Sequence, residues 1–176
     1  KIVALADAEE RKLTEYEVLE VLRNWGFRQN DKRKSVMKEG VSWVHSDTLG
    51  LVRFKSGGFM IADSSQGWPT VTLLLTRWLR ESTPTKFGNN FQCTSISVNK
   101  NYAGRLHRDG GNAGPSALLA LGDFTGGELQ YHPMDSGRIS LDKLSQATVK
   151  ADAKKDFVVF DGRRAHEVLD FQGERY

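Results

Sequence analysis

Four residues in the C-terminal half of the chain have the types and the order needed for metal chemistry. His107 and Asp109 form a His-x-Asp pair, His166 lies far beyond them, and Arg175 follows shortly after His166. Two histidines and one carboxylate bind one face of a metal ion and leave the opposite face open, which is the ligand set of non-heme Fe(II) oxygenases. The planar guanidinium of an arginine binds a carboxylate bidentately, so Arg175 suits a dicarboxylate co-substrate.

Each of these residues also has an ordinary structural alternative. A His-x-Asp pair taken alone is a weak signal, and His45 and His132 show that histidines occur in this chain away from the pattern. The metal prediction therefore depends on the whole order. The pair is followed by strand-like segments and a Gly-Gly hairpin, and then by His166 and Arg175 in the expected sequence.

The ligand pattern requires strands at particular places. Residues two apart in an extended segment point to the same side, so His107 and Asp109 can face one cavity. The apolar run from Phe157 to Phe160 is typical of a buried strand, and the glycine turn after it places His166 at the start of the next strand. Arg175 lies on that strand or on its continuation, from which it could point into the same cavity.

The first half of the chain predicts helices. Thr14 and Glu17 form a capping box that opens one helix. Trp68 and Pro69 open a second, because proline is favoured in the first turn of a helix. Residues 41–54 are mixed, with short strand-like pieces. The buried stripe of the second helix comprises Val71, Leu74, Leu75, Trp78 and Leu79.

From Phe91 onward the periodicity changes to that of short strands. Glycine turns separate the segments predicted as strands, which are residues 91–98, 116–121, 128–131, 157–160 and 166–171. Helices first and strands afterwards indicate an α+β protein whose β part is a sandwich or barrel. We expect one domain over residues 1–176, with residues 1–90 as a helical and mixed support and residues 91–176 as the β core.

Composition excludes several classes of protein. At 176 residues the chain can bury a core of its own, and no apolar run approaches the length that spans a bilayer. The net charge of +3 permits a polyanionic partner without requiring one. The single cysteine, Cys93, rules out an internal disulfide and indicates a reducing intracellular compartment, with nucleus and cytoplasm both open. The sequence does not predict an oligomeric state.

Three segments in the second half carry a resemblance to a known family. The run from Asn99 to Asp109 resembles the metal-binding strand of the Fe(II)/2-oxoglutarate-dependent dioxygenases. Residues 122–129 resemble the Gly-Gly-x-Leu hairpin of that superfamily, and residues 158–166 with Arg175 resemble its closing motif. Within the superfamily, residues 112–116 and the hairpin are most similar to the TET/J-binding-protein branch and its relatives in algae and protists. The match covers about half the chain.

The resemblance implies a double-stranded β-helix, or jelly-roll, core with N-terminal packing helices, whose last strand would lie beyond the end of this sequence. It implies Fe(II) held by His107, Asp109 and His166, with dioxygen and 2-oxoglutarate as reactants. The far carboxylate of 2-oxoglutarate would bind Arg175, with Tyr102 and Asn99 lining the co-substrate pocket. Some algal relatives leave ascorbate open as the reductant instead. Candidates to orient the histidine rings are Asn112 and Glu128.

The expected activity is hydroxylation of a C–H bond, and three substrate hypotheses remain. The first is the methyl group of a nucleic-acid base such as 5-methylcytosine, with Trp43, Trp68 or Tyr131 stacking on a flipped base. The second is the same chemistry on a protein side chain or small molecule, and the third is a non-catalytic metal-binding module on this fold. The first gains support from basic residues that suit phosphate, namely Arg28, Lys32, Arg33, Lys34, Lys38, Arg105, Arg108, Arg163 and Arg164.

Overall fold

The computed structural model describes residues 1–53, 57–84, 91–145 and 147–176, apart from the side chain of Ala8. The chain divides into two compact units. The first comprises residues 1–28 and 46–99, and the second comprises residues 29–45 and 100–176. The end of the predicted mixed segment, Phe54, lies outside the described residues. The expectation of a single dioxygenase domain over residues 1–176 stays a prediction.

The α-helices belong to the first unit and are α1 (Ile2–Ala8), α2 (Glu15–Asn24), α3 (Asp63–Gly67) and α4 (Pro69–Ser82). The second unit contains a 3-10 helix, Leu141–Lys143. The predicted capping box at the start of α2 is confirmed, because the Thr14 hydroxyl and the Glu17 carboxylate each accept a hydrogen bond from the other residue's backbone N–H. The predicted start of α4 at Pro69 is also confirmed, and the helix buries Leu74, Leu75 and Trp78. None of the helices in the described ranges has the length and apolar character needed to span a bilayer.

Three strands accompany these helices. Strand β2 (Val44–Arg53) pairs antiparallel with β3 (Phe59–Ile61), and β4 (Ser95–Lys100) also pairs with β2. The predicted strand over residues 91–98 therefore begins four residues later than expected, at Ser95. The first residues of β2, Val44 and His45, belong to the second unit. They pair antiparallel with β1 (Gln29–Asn30), as Asn30↔Val44 and Gln29↔His45.

The rest of the second unit consists of short antiparallel strands. Strand β7 (Leu129–Tyr131) pairs with both β8 (Val149–Ala151) and β10 (His166–Val168). Strand β5 (Ser116–Leu118) pairs with β9 (Val158–Phe160), and β6 (Phe124–Gly126) pairs with β11 (Phe171–Gly173). The α+β class is thus confirmed. The described strands form antiparallel sheets with no closed barrel, and the jelly-roll core stays a prediction.

The ladder between β6 and β11 continues toward the end of the chain. Leu121 and Tyr176 exchange backbone hydrogen bonds of 3.0 and 2.8 Å, and the Glu174 N–H donates to the Asp123 carbonyl. A Cβ at Gly173 would lie 2.2 Å from that carbonyl oxygen, and its φ of +105° favours glycine. This close backbone approach positions Arg175, which lies between the bonded residues.

Candidate metal centre

Backbone pairing brings the two predicted histidine ligands face to face. His107 and His166 form an isolated antiparallel bridge and exchange N–H to carbonyl hydrogen bonds of 3.0 Å in both directions. Two residues further on, the Asp109 N–H donates to the Gly162 carbonyl at 2.8 Å. The alternation of an extended segment then places His107 and Asp109 on the same side.

The three predicted ligand residues form one cluster, with a potential ligand atom of each within 4.8 Å of the others. His107 Nε2 lies 3.6 Å from Asp109 Oδ1, and His166 Nε2 lies 3.8 Å from Asp109 Oδ2. Two ligand atoms that share an ion at about 2.1 Å can be at most about 4.2 Å apart. Both histidine–aspartate separations, each measured to a different oxygen of Asp109, meet that limit, as binding of one shared cation requires.

The backbone selects the tautomer of both rings. His107 Nδ1 lies 2.7 Å from the Arg105 carbonyl oxygen, and His166 Nδ1 lies 2.8 Å from that of Arg164. A carbonyl can only accept, so each Nδ1 carries the proton and each Nε2 keeps a lone pair for a metal. The same geometry serves both rings, since each carbonyl belongs to the residue two positions before its histidine.

The candidates named from sequence to orient the rings are not the partners of the two Nδ1 atoms. Asn112 Nδ2 donates to Ser116 Oγ at 2.9 Å, and the carbonyls of Arg105 and Arg164 occupy the position expected for Glu128. The expectation that these side chains fix the histidine tautomers is therefore replaced by the two backbone carbonyls. Sequence alone offers no signal for that role, because every residue has a carbonyl.

The cluster is dry on one side and open on the other. Burial lowers the pKa of His107. The hydrogen bond to the Arg105 carbonyl opposes this shift, and a positive charge on His166 would lower the pKa further. The edge of the Phe160 ring packs against His166 at a centroid distance of 4.9 Å. The Asp109 side chain is 40% exposed, against 7% for His166. A metal ion would therefore reach the cluster from the side of Asp109.

Arg175 is a buried cation in the same unit. Its guanidinium lies over the rings of Phe124 and Phe171, with centroid distances of 5.4 and 5.5 Å. Nη2 donates to the Gly127 carbonyl at 3.4 Å, which is a long contact, and Nε has no hydrogen-bond partner among the described residues. Burial lowers the pKa of this guanidinium. No carboxylate in the described ranges forms an ion pair with it, so the site suits an anionic ligand.

The other two predicted co-substrate residues differ in position. The Tyr102 hydroxyl donates to the Val36 carbonyl at 2.9 Å and is buried. An atom at the Cβ position of Gly104 would lie 3.6 Å from both that hydroxyl oxygen and His107 Cε1, so Tyr102 lies beside the cluster. Asn99 belongs to the first unit, where its side-chain oxygen accepts from the Ser46 hydroxyl at 2.7 Å.

One residue in contact with the ligand segments has no sequence signal. Asp135 lies in a Met-Asp-Ser-Gly run that reads as a plain turn, yet its side chain is fully buried and paired with Arg108. The hydrogen bonds from Arg108 hold the pKa of this carboxyl far below its usual range. Arg108 is one of the basic residues predicted to suit phosphate, and in the structure its guanidinium forms this ion pair.

Two clefts lie on the surface of the second unit. The larger, of about 640 Å³, is lined by Lys34, Lys38 and Arg105 together with the acidic Asp31 and Glu39. The second, of about 390 Å³, is lined by polar, basic and aromatic side chains, among them Lys100, Trp43, Tyr102 and Phe171. Of the predicted stacking residues, Trp43 is exposed at this cleft, Tyr131 packs against Phe160, and Trp68 belongs to the first unit.

Comparison of the chain with protein-family models, with curated proteins and with solved structures finds no match in any of the three. The resemblance to the dioxygenases therefore stays a prediction from the sequence motifs.

Proposed function

We propose that this protein is an Fe(II)- and 2-oxoglutarate-dependent dioxygenase that hydroxylates a C–H bond. The observation that carries the proposal is the cluster of His107, Asp109 and His166, in which both Nε2 atoms are acceptors directed at one carboxylate. Two histidines and one carboxylate on one side of an ion suit non-heme Fe(II) and leave positions for two further reactants.

Arg175 supports the choice of co-substrate. A buried guanidinium with an unpartnered Nε, and with no ion pair among the described residues, fits the far carboxylate of a dicarboxylic acid. With both groups bound, the iron would supply oxidative decarboxylation of 2-oxoglutarate to succinate and CO₂, with one oxygen atom of O₂ transferred to the substrate C–H bond. A reductant such as ascorbate would leave this guanidinium without a carboxylate partner, and we therefore favour 2-oxoglutarate.

The contributions of the chain are positional. The carbonyls of Arg105 and Arg164 hold a ring proton at each Nδ1, so that Nε2 is the atom of each imidazole that is left to bind metal. Phe160 covers His166 and excludes water from that side. The exposed side of Asp109 leaves a path for the substrate, and a buried Arg175 would fix the orientation of the co-substrate.

A nucleic-acid base, such as 5-methylcytosine, is the substrate class that we favour. Support comes from the resemblance to the TET/J-binding-protein branch and from the cleft with Lys34, Lys38 and Arg105, whose charges suit phosphate. The exposed ring of Trp43 offers a stacking surface in the neighbouring cleft. A protein side chain or a small molecule is the competing class, and a substrate screen separates them.

The test is an anaerobic titration of the Fe(II)-loaded protein with 2-oxoglutarate, following the visible charge-transfer absorption of the chelate. We expect a saturable band that is lost in Asp109→Asn and kept in Asp152→Asn, whose carboxyl forms an exposed ion pair with Lys155. Succinate formation is then measured with methylated oligonucleotides and with peptides. Absence of the band in iron-loaded wild-type protein would refute the proposed co-substrate.

A further inference from the structure

A buried carboxylate lies behind the candidate metal centre. Asp135 follows β7, in a turn closed by its own N–H donating to the His132 carbonyl at 3.1 Å. The His132 N–H in turn donates to the Ala165 carbonyl at 3.0 Å, so this turn is tied to the residue just before His166. The Asp135 side chain has no exposed surface, whereas other carboxylates in ion pairs of this unit, such as Asp161, are partly exposed.

Both oxygens of Asp135 are fully used. Oδ2 accepts from Arg108 Nε at 2.6 Å and from the Ala165 N–H at 2.7 Å. Oδ1 accepts from Arg108 Nη2 at 2.8 Å and from the Gly137 N–H at 2.9 Å. The Arg108 guanidinium is anchored a third time, by the Ile139 carbonyl at 2.7 Å. A bidentate, charge-assisted pair of this kind has a defined geometry as well as strength.

These bonds join the two chain segments that supply the ligands. Arg108 lies between His107 and Asp109, and successive side chains of an extended segment point to opposite sides, so Arg108 points away from the ligand face. Ala165 directly precedes His166. One carboxylate thus holds both segments from behind, while the two histidines face each other in front.

We propose that Asp135 is a positioning residue that sets the separation of the His107–Asp109 pair from His166 and thereby the affinity for metal. The inference rests on the metal centre of the proposed function. The two ligand segments are joined by an isolated β-bridge and by two single backbone hydrogen bonds, from Asp109 N–H to the Gly162 carbonyl and from Val168 N–H to the Gly104 carbonyl, rather than by a continuous ladder. The backbone alone therefore defines their register less firmly than a ladder would. A metal site needs its ligands within about 0.5 Å of the working geometry, and the Arg108–Asp135–Ala165 connection supplies the missing constraint.

The test is a Co(II) titration of the apo-protein, read by the ligand-field absorption of the bound ion and carried out at a temperature where circular dichroism shows each variant folded. For Asp135→Asn we expect Co(II) affinity to fall about 10- to 100-fold, as for other groups that orient ligands. The ligand-field bands should shift as well. A loss of fold stability alone would not move those bands in the fraction that remains folded.

The matched control is Asp152→Asn. Both oxygens of Asp152 also have partners, Lys155 Nζ at 3.0 Å and the Lys154 N–H at 3.0 Å, but these contacts stay within residues 152–155. We expect its Co(II) affinity to stay within about threefold of wild type. An equal loss in both variants would attribute the effect to charge and overturn the proposal. If Asp135→Asn does not fold, Arg108→Lys decides, because it keeps the charge and removes the bidentate geometry. For that variant a loss of at least about threefold supports the proposal, and unchanged affinity overturns it.

The wild-type titration tests the metal centre separately from the positioning role of Asp135. A wild-type protein that gives no Co(II) spectrum would refute the metal centre, and the role of Asp135 with it. A wild-type protein that binds Co(II), with Asp135→Asn unchanged in affinity and bands, would refute the positioning role alone.

Discussion

Replacing Arg175 with methionine should separate function from stability, because the two effects have opposite signs. In the folded protein the guanidinium gains two aromatic contacts, worth about 0.5–2 kcal/mol each. It gains little from the 3.4 Å contact with the Gly127 carbonyl. Against this stand an unpartnered buried Nε, at about 1–3 kcal/mol, and the burial of the charge, at several kcal/mol.

The sum of these contributions predicts that the Arg175 side chain destabilises the unliganded protein. Methionine has a similar length, can pack over the rings of Phe124 and Phe171, and carries no charge. We expect Arg175→Met to stabilise the apo-protein by about 1–3 kcal/mol, in line with other replacements of buried charges by apolar residues. Thermal unfolding followed by circular dichroism should show this as a rise in Tm of roughly 2–4 °C per kcal/mol.

The same substitution should abolish tight binding of 2-oxoglutarate. Two charge-assisted hydrogen bonds to a carboxylate are worth about 1.5–3 kcal/mol each, so their loss costs at least about 3 kcal/mol. That corresponds to a more than hundredfold weaker affinity. Anaerobic calorimetric titration of the Fe(II)-loaded protein measures it, and Fe(II) affinity itself should stay unchanged.

The control for Arg175→Met is Lys154→Met. Lys154 is exposed, its Nζ lies 4.7 Å from the centroid of the Phe124 ring, and it donates to the Phe124 carbonyl. Its loss should cost under about 1 kcal/mol of stability and leave 2-oxoglutarate affinity as it was. Destabilisation of the apo-protein by Arg175→Met by about 2 kcal/mol or more, with unchanged 2-oxoglutarate affinity, would refute the reasoning and make this arginine a packing residue.

Three more outcomes are expected. Gly173→Ala should lower the free energy of unfolding in urea by about 3 kcal/mol or more, because its Cβ would lie 2.2 Å from a backbone oxygen. Gly137→Ala, whose Cβ would lie in open space, should cost only about 1–2 kcal/mol, and equal losses in the two variants would contradict this reasoning. Hydrogen bonds from Arg11 and Thr14 lower the pKa of Glu17 to about 2, so wild-type stability should fall as the pH drops from about 4.5 to 2. A Glu17→Gln variant whose stability showed the same pH profile would contradict the pairing. Co(II) at 100 times its Kd should stabilise the wild-type protein by about 2.7 kcal/mol and the His166→Ala variant by much less. A similar rise in Tm for both proteins would argue against His166 as a metal ligand.

Local features of the fold could be predicted from the sequence. The start of α2 at Thr14 and the start of α4 at Pro69 depend on residues within one turn of each other, and both are observed. The short helix α3 (Asp63–Gly67) was not predicted, because five residues are too few for an apolar periodicity to appear. Strand boundaries shifted because an apolar run does not show where pairing ends. The run over residues 116–121 continues past the paired segment Ser116–Leu118.

For the site, the sequence by itself determined the chemical types and their local direction. Alternation in an extended segment places His107 and Asp109 on one side, and no partner is needed for that inference. The register that sets His107 opposite His166 comes only from tertiary structure, because many strand pairings satisfy the same hydrophobic pattern. The ring tautomers and the bonds of Asp135 were likewise decided there, since backbone carbonyls and turn aspartates look alike in sequence until long-range packing buries a few of them.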